Sequence, residues 1–207
     1  TLDQTIIEAQ KYGLRVLFNF NTGRLLTAEE GGDEEIRRRV RELVLNYDLD
    51  LEIGNEMDYK DGVFEFWKDQ DLSTFAHFVK IVIDEARLHK PNQRIVLGAL
   101  LELEKTQDLI TNLKKEEVDL SNIEFALHTY GSVEDVRLRI KTFKDIVGRP
   151  PDTITELGIR GKDKSQLPAM IEEALKLGVR EIFIHELSEI AGYGLLNTNG
   201  PTPGNYS

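Results

Sequence analysis

Short β-rich runs and longer amphipathic segments alternate along the chain, and that alternation leaves few ways to bury the apolar faces it creates. Residues 15–21, 49–55, 94–99, 123–128, 152–155 and 181–185 read as strands. Residues 2–12, 34–46, 72–89, 107–115, 133–147 and 167–177 carry the apolar period of helices. The punctuation agrees. Gly13 and Gly178 stand where helices should stop, and Lys90-Pro91-Asn92 closes the longest of them. The stretch from Thr22 to Asp33 reads as a loop.

Strands that each have a helix as neighbour argue for a parallel sheet with helices outside it. Over the second half of the chain the strands begin about 29 residues apart, near the repeat of a (β/α)8 TIM barrel of roughly 250 residues. An open doubly wound sheet is the alternative. Against it, no G-x-G-x-x-G or Walker-type loop follows the first strand, and no phosphate-cradling glycine cluster occurs elsewhere. A closed barrel needs eight strands and the pattern supplies six, so the α/β barrel is expected to be incomplete in this chain.

Twenty-six Lys and Arg against thirty-seven Asp and Glu give a formal charge of −11. That balance repels phosphate backbones and anionic lipid surfaces, which argues against nucleic acid and membrane as partners. The basic run Arg37-Arg38-Arg39-Val40-Arg41 is read as a solvated helix face, its field cancelled by Asp33, Glu34, Glu35 and Glu42. With no cysteine there is neither disulfide nor thiolate metal site. No apolar stretch approaches the roughly 20 residues that span a bilayer, and Thr1-Leu2-Asp3-Gln4 does not resemble a signal peptide. Secreted and cytoplasmic locations both stay open, as does the oligomeric state.

In a barrel of this kind functional side chains gather at the C-terminal ends of the strands. Those ends carry Asn19 and Asn21, then Gly54-Asn55-Glu56, then His128-Thr129-Tyr130, then Thr155-Glu156-Leu157-Gly158, then His185-Glu186. The third strand ends less polar, in Ala99-Leu100-Leu101-Glu102. Two carboxylates facing one cleft can divide acid and base labour when their surroundings separate their proton affinities. Glycosidic bond cleavage needs that division, and Glu56 and Glu156 are the candidates for it.

At these residues the chain resembles clan A of the glycoside hydrolases. Leu51-Glu52-Ile53-Gly54-Asn55-Glu56 is similar to the clan's fourth strand, which ends in an Asn-Glu pair. Thr153-Ile154-Thr155-Glu156-Leu157-Gly158 is similar to its seventh, and His128-Thr129-Tyr130 to the His-x-Tyr of its sixth. Residues 193–201 resemble the stretch after the eighth strand. The resemblance implies a single barrel domain over 1–207 that starts near the third strand and lacks the first two strands and the last helix.

It further implies a carbohydrate substrate cleaved with retention and no cofactor or metal. Glu156 would be the nucleophile and Glu56 the acid/base, protonated at working pH. Asn55 and His128 would hold the sugar, and Tyr130 would orient Glu156. Asn19, Asn21, His185 and Glu186 are further candidates for substrate contacts. The clan's eighth strand usually offers an aromatic platform where this chain has His185-Glu186, and Trp67 is a candidate outer platform. Two rivals accompany this reading. One is a metal-dependent barrel acting on sugars or phosphodiesters, with Mn²⁺ or Zn²⁺ held by Glu56, His128, Glu156, His185 and Glu186. The other is a non-catalytic sugar-binding or assembly barrel.

Overall fold

The computed structural model describes residues 2–58, 71–160 and 164–185. In chain order its elements are α1 (Leu2–Lys11), β1 (Leu17–Phe20), α2 (Gly32–Asn46), β2 (Asp50–Ile53), α3 (Leu72–His89), β3 (Ile95–Leu97), α4 (Thr106–Lys115), β4 (Glu124–Tyr130), α5 (Val133–Val147), β5 (Thr153–Gly158), α6 (Leu167–Lys176) and β6 (Glu181–Ile184). This is the βα repeat of an incomplete (β/α)8 barrel. The chain divides into two compact units, Thr1–Glu124 and Phe125–Ser207.

In the first unit β1 pairs with β2 and β2 with β3, all parallel, with Asn19 in register with Glu52 and Ile53 with Leu97. Both faces of β2 and β3 are covered, so Leu51, Ile53, Ile95 and Val96 are wholly buried. The principal cover is α3. Asp71 caps its start by accepting the Thr74 N–H at 2.9 Å. Its buried face, Phe75, Phe78, Val79 and Val82, lies against the sheet side, where Phe78 stacks on Phe20 of β1 at 5.9 Å between centroids. Each such side chain contributes about 1.5–3 kcal/mol by leaving water. On the flank facing α2, buried Glu85 takes hydrogen bonds from Arg41 (2.8 Å) and His89 (2.9 Å). These bonds outweigh the burial that pushes its carboxyl up, and hold it below the ordinary range.

In the second unit β4, β5 and β6 pair in parallel around Leu127, Ile154 and Leu157, which are fully buried, and α5 and α6 contribute Val136, Ile140 and Met170. Buried Asp152, just before β5, organises the N-terminal ends of the strands. It accepts the Phe125 N–H at 2.9 Å and bonds from Arg149 and Arg180 at 2.7 Å each. A reciprocal capping box, Ser132 with Asp135, starts α5, and Gly148 in the left-handed region (φ 86°) ends it.

The element order matches the sequence expectation, and 72–89 and 133–147 match to the residue. The strands differ at their ends. β1, β2 and β3 are each shorter than expected by one or two residues at either end, where the paired ladder stops. β4 and β5 run further, to Tyr130 and Gly158 instead of His128 and Thr155. Backbone partners on the neighbouring strands carry polar residues into the ladder that composition assigns to loop. The expected loop at Thr22–Asp33 contains two 3₁₀ turns, Gly23–Leu26 and Ala28–Glu30, and α2 begins inside it. Among the described residues, no helix is long and apolar enough to cross a membrane.

Candidate active site

The C-terminal end of β2 is a forced turn. Gly54 is left-handed (φ 79°), and a Cβ there would meet the Phe75 ring at 2.7 Å. Gly98, after β3, lies so close that a Cβ on it would stand 2.1 Å from the Gly54 carbonyl oxygen. Only glycine fits at either place. The chain then passes through Asn55 to Glu56, which is itself left-handed at φ 47°, a conformation that costs a side-chain-bearing residue about 1–3 kcal/mol and clusters at functional sites. Backbone bonds hold the turn on both sides, from Gly54 N–H to the Phe20 carbonyl (3.1 Å) and from Glu56 N–H to the Ala99 carbonyl (2.8 Å). Beyond it, buried Asp58 accepts the N–H groups of Leu101 and Glu102 at 2.8 and 2.7 Å, joining the loop after β2 to the loop after β3.

Asn19, expected to touch substrate, has its side-chain amide turned to β2. Its Nδ2 lies 3.0 Å from Glu52 Oε2 and 2.9 Å from the Gly54 carbonyl oxygen. Asn21 is half-buried just past β1, and Asn55 and Glu56 are half-buried at the turn.

The second unit brings three of the expected residues together around Glu156. Tyr130 donates its hydroxyl to Glu156 Oε2. His185 Nδ1 lies 3.5 Å from the same oxygen, and His128 Nε2 lies 3.7 Å from Oε1. The Tyr130 and His185 rings meet edge-on, 5.8 Å apart at 87°. His128 is almost wholly buried, and its carbonyl accepts from Arg139 Nε at 2.8 Å, which ties the end of β4 to α5.

A β-bulge makes this grouping. Leu127 is in register with Ile154, but the next pair is His128 with Glu156, so β5 carries one extra residue there. Without it His128 would face Thr155 and Glu156 would face Thr129. Against β6 the same excess recurs, between the pairs Ile154–Ile182 and Leu157–Ile184. An extra residue breaks the strict alternation and re-aims a side chain. Here it sets Glu156 level with His128 while Ile154 and Leu157 both stay in the core. The resulting carboxylate has one oxygen fixed by a phenol donor and is flanked by two imidazoles, a setting suited to a nucleophile or to a metal ligand.

Trp67 and Glu186 lie outside the described residues. Sequence reasoning passed over Glu52, a buried carboxylate in β2. Its signal was available, a lone charge between Leu51 and Ile53 in an otherwise apolar strand. Asp58 and Arg139 gave no such signal, because their partners are backbone groups of loops and strand ends distant in sequence.

No family model matches the chain, and no curated protein matches it. Solved structures do. Cellulose synthase subunit Z of Clostridioides difficile superposes with a TM-score of 0.64 at 15% identity, over 97% of this chain and 75% of that one. The catalytic domain of a Thermobifida fusca endoglucanase gives 0.63 at 14% identity, over 99% and 69%. Fungal β-1,4-galactanases give 0.66 at 12% identity, over 89% and 72%. What this chain shares with glycoside hydrolases such as the last two is therefore their fold, of which it forms an incomplete (β/α)8 barrel.

Proposed function

We propose that this protein is a glycosidase that cleaves O-glycosidic bonds of a carbohydrate with retention of configuration. The observation that carries the reading is the setting of Glu156, brought by the bulge in β5 beside Tyr130, His128 and His185. The strained turn that presents Glu56 at the same end of a parallel strand supports it. In a (β/α) barrel such strand ends share one rim, so the two carboxylates are assigned to a single anomeric centre.

In the first step a Glu156 carboxylate oxygen attacks the anomeric carbon. The bond to the leaving oxygen breaks, and Glu56 delivers its proton to that oxygen. In the second step Glu56, now a carboxylate, takes a proton from water. The water oxygen displaces Glu156 from the anomeric carbon, giving net retention. This division of roles requires the two carboxyl groups about 5–5.5 Å apart, against roughly 6.5–9.5 Å for inversion. The Tyr130 hydroxyl keeps the nucleophile oriented, while Asn55 and His128 hold the glycone.

Glu156→Ala tests the reading. Turnover of an aryl glycoside falls by on the order of 10⁴-fold or more, and external azide restores it as the glycosyl azide of inverted configuration. Unchanged turnover in this variant overturns the assignment. The donor set of Glu156, His128 and His185 also admits the metal-dependent reading, and chelation separates the two. EDTA leaves the glycosidase indifferent, and loss of activity restored by Mn²⁺ or Zn²⁺ decides for the metal.

A further inference from the structure

The geometry points to Asn19 as a positioning residue for Glu56. This inference rests on the acid/base role proposed for Glu56. Both groups near the Asn19 amide, the Glu52 carboxylate at 3.0 Å and the Gly54 carbonyl at 2.9 Å, are acceptors. The atom between them must therefore be the NH₂ nitrogen, and its two hydrogens serve one acceptor each. Asn19 lies exposed at the strand end, yet it has no N–H left for a substrate hydroxyl, and only its Oδ1 could accept one.

What the amide holds is the pivot of the turn. Gly54 is left-handed, its carbonyl lies under Gly98, and two residues later Glu56 is left-handed as well. Glu117, the other left-handed glutamate among the described residues, merely closes α4, whereas Glu56 has no helix to close and is held by its surroundings. From the β1 side those surroundings are the Asn19 amide and the backbone bond from Gly54 N–H to the Phe20 carbonyl. Glu52, in register with Asn19 and buried in β2, takes the second hydrogen of the amide and so favours the orientation that bonds the Gly54 carbonyl. Asn19 thus acts on the reaction through the angle at which Glu56 meets the leaving oxygen. A small misplacement of an acid there costs rate most where the leaving group most needs a proton.

The experiment uses Asn19→Ala, with Asn19→Ser as a second variant that keeps one donor and is less disruptive to folding. The first measurement is amide hydrogen exchange. The Gly54 and Glu56 amides exchange about tenfold faster in Asn19→Ala, with amides of α3 unchanged and Asn19→Ser between the two. The second is a leaving-group series of aryl glycosides. With 2,4-dinitrophenyl as leaving group, which departs without a proton, kcat/KM changes little. With phenyl or 4-methylphenyl it falls by roughly 10–100-fold, mostly in kcat, and the same substitution adds no further loss in a Glu56→Ala background.

A uniform loss across the series, or a rise in KM alone, overturns the inference and returns Asn19 to the sugar site. Unchanged exchange at Gly54 and Glu56 overturns it too. The exchange measurement needs no turnover, so in a protein that fails the Glu156→Ala azide test it still decides whether Asn19 clamps the turn.

Discussion

Two glycines and one asparagine shape the end of β2. Gly98 has no room for a methyl group, because the atom it would strike is the Gly54 carbonyl oxygen, part of a backbone fixed on both sides. Gly98→Ala is therefore expected to cost about 3 kcal/mol or more, since neither strand can yield without breaking its ladder. Gly13 makes the contrast. It too is left-handed, at φ 69°, but nothing lies within 4 Å of its missing Cβ. Gly13→Ala should cost about 1–2 kcal/mol, from backbone strain alone. Urea titration of both variants checks the ordering, and equal losses would show that the close approach at Gly98 is unimportant. At this scale the sequence was informative about identity and silent about role. Glu56, Glu156, His128 and Tyr130 stand out as candidates by residue type and order, and the structure places the last two beside Glu156. That Asn19 serves the backbone of β2 is not, because its partners belong to a strand more than thirty residues away.

At the scale of elements, local signals fixed the helices and tertiary ones fixed the strand ends. Helix α5 was legible to the residue because its start and stop are written locally, in Ser132 with Asp135 and in Gly148. The same box decides where β4 gives way to helix, two residues after Tyr130. Gly131 is left-handed at φ 107°, and a Cβ there would strike the Asp135 carboxylate at 2.5 Å. Ser132→Ala should lower stability by about 1 kcal/mol. It should also loosen the Gly131 amide, which donates to the Gly158 carbonyl at 3.1 Å and links the ends of β4 and β5. Thermal unfolding and exchange at Gly131 read the two effects, and a variant as stable as wild type would mean that the helix start is held by packing instead. The strands β4 and β5 ended later than expected for the opposite reason. Apart from Leu157, the residues they add are polar or glycine, and only pairing across the sheet reveals them as strand.

For the whole molecule, the excess of acidic groups makes low pH the direction of weakness. Glu35 is held down to about 2 by hydrogen bonds from Arg38 and Arg39, and Asp71 is lowered by the Ser73 hydroxyl and the Thr74 amide. Asp119 is lowered by Ser121 and Asp135 by Ser132, while in Glu85 burial is outweighed by Arg41 and His89. A carboxyl group whose affinity for protons is lower folded than unfolded adds stability that is complete above its unfolded value, near 4. That contribution disappears as pH falls through the folded value. The urea midpoint should therefore be level above about pH 5 and decline from about pH 4 towards pH 2. Added salt should flatten part of the decline, because Glu35 is lowered by ion pairs to Arg38 and Arg39, whose guanidinium groups face solvent. A midpoint constant down to pH 3 would contradict it. The repeat of strand and helix was readable at this scale from apolar period alone, and the superposition on glycoside hydrolases of 12–14% identity shows how little else such a fold asks of its sequence.

The surplus residue in β5 separates two demands that an ordinary strand would tie together. Ile154 and Leu157 anchor the strand in hydrocarbon, and the count between them, rather than parity, determines which side chain stands beside His128. Reactive group and anchors can then change independently over evolutionary time, one by residue length and the other by size. A single codon gained or lost between those two anchors would exchange the chemistry of this strand and leave its packing intact.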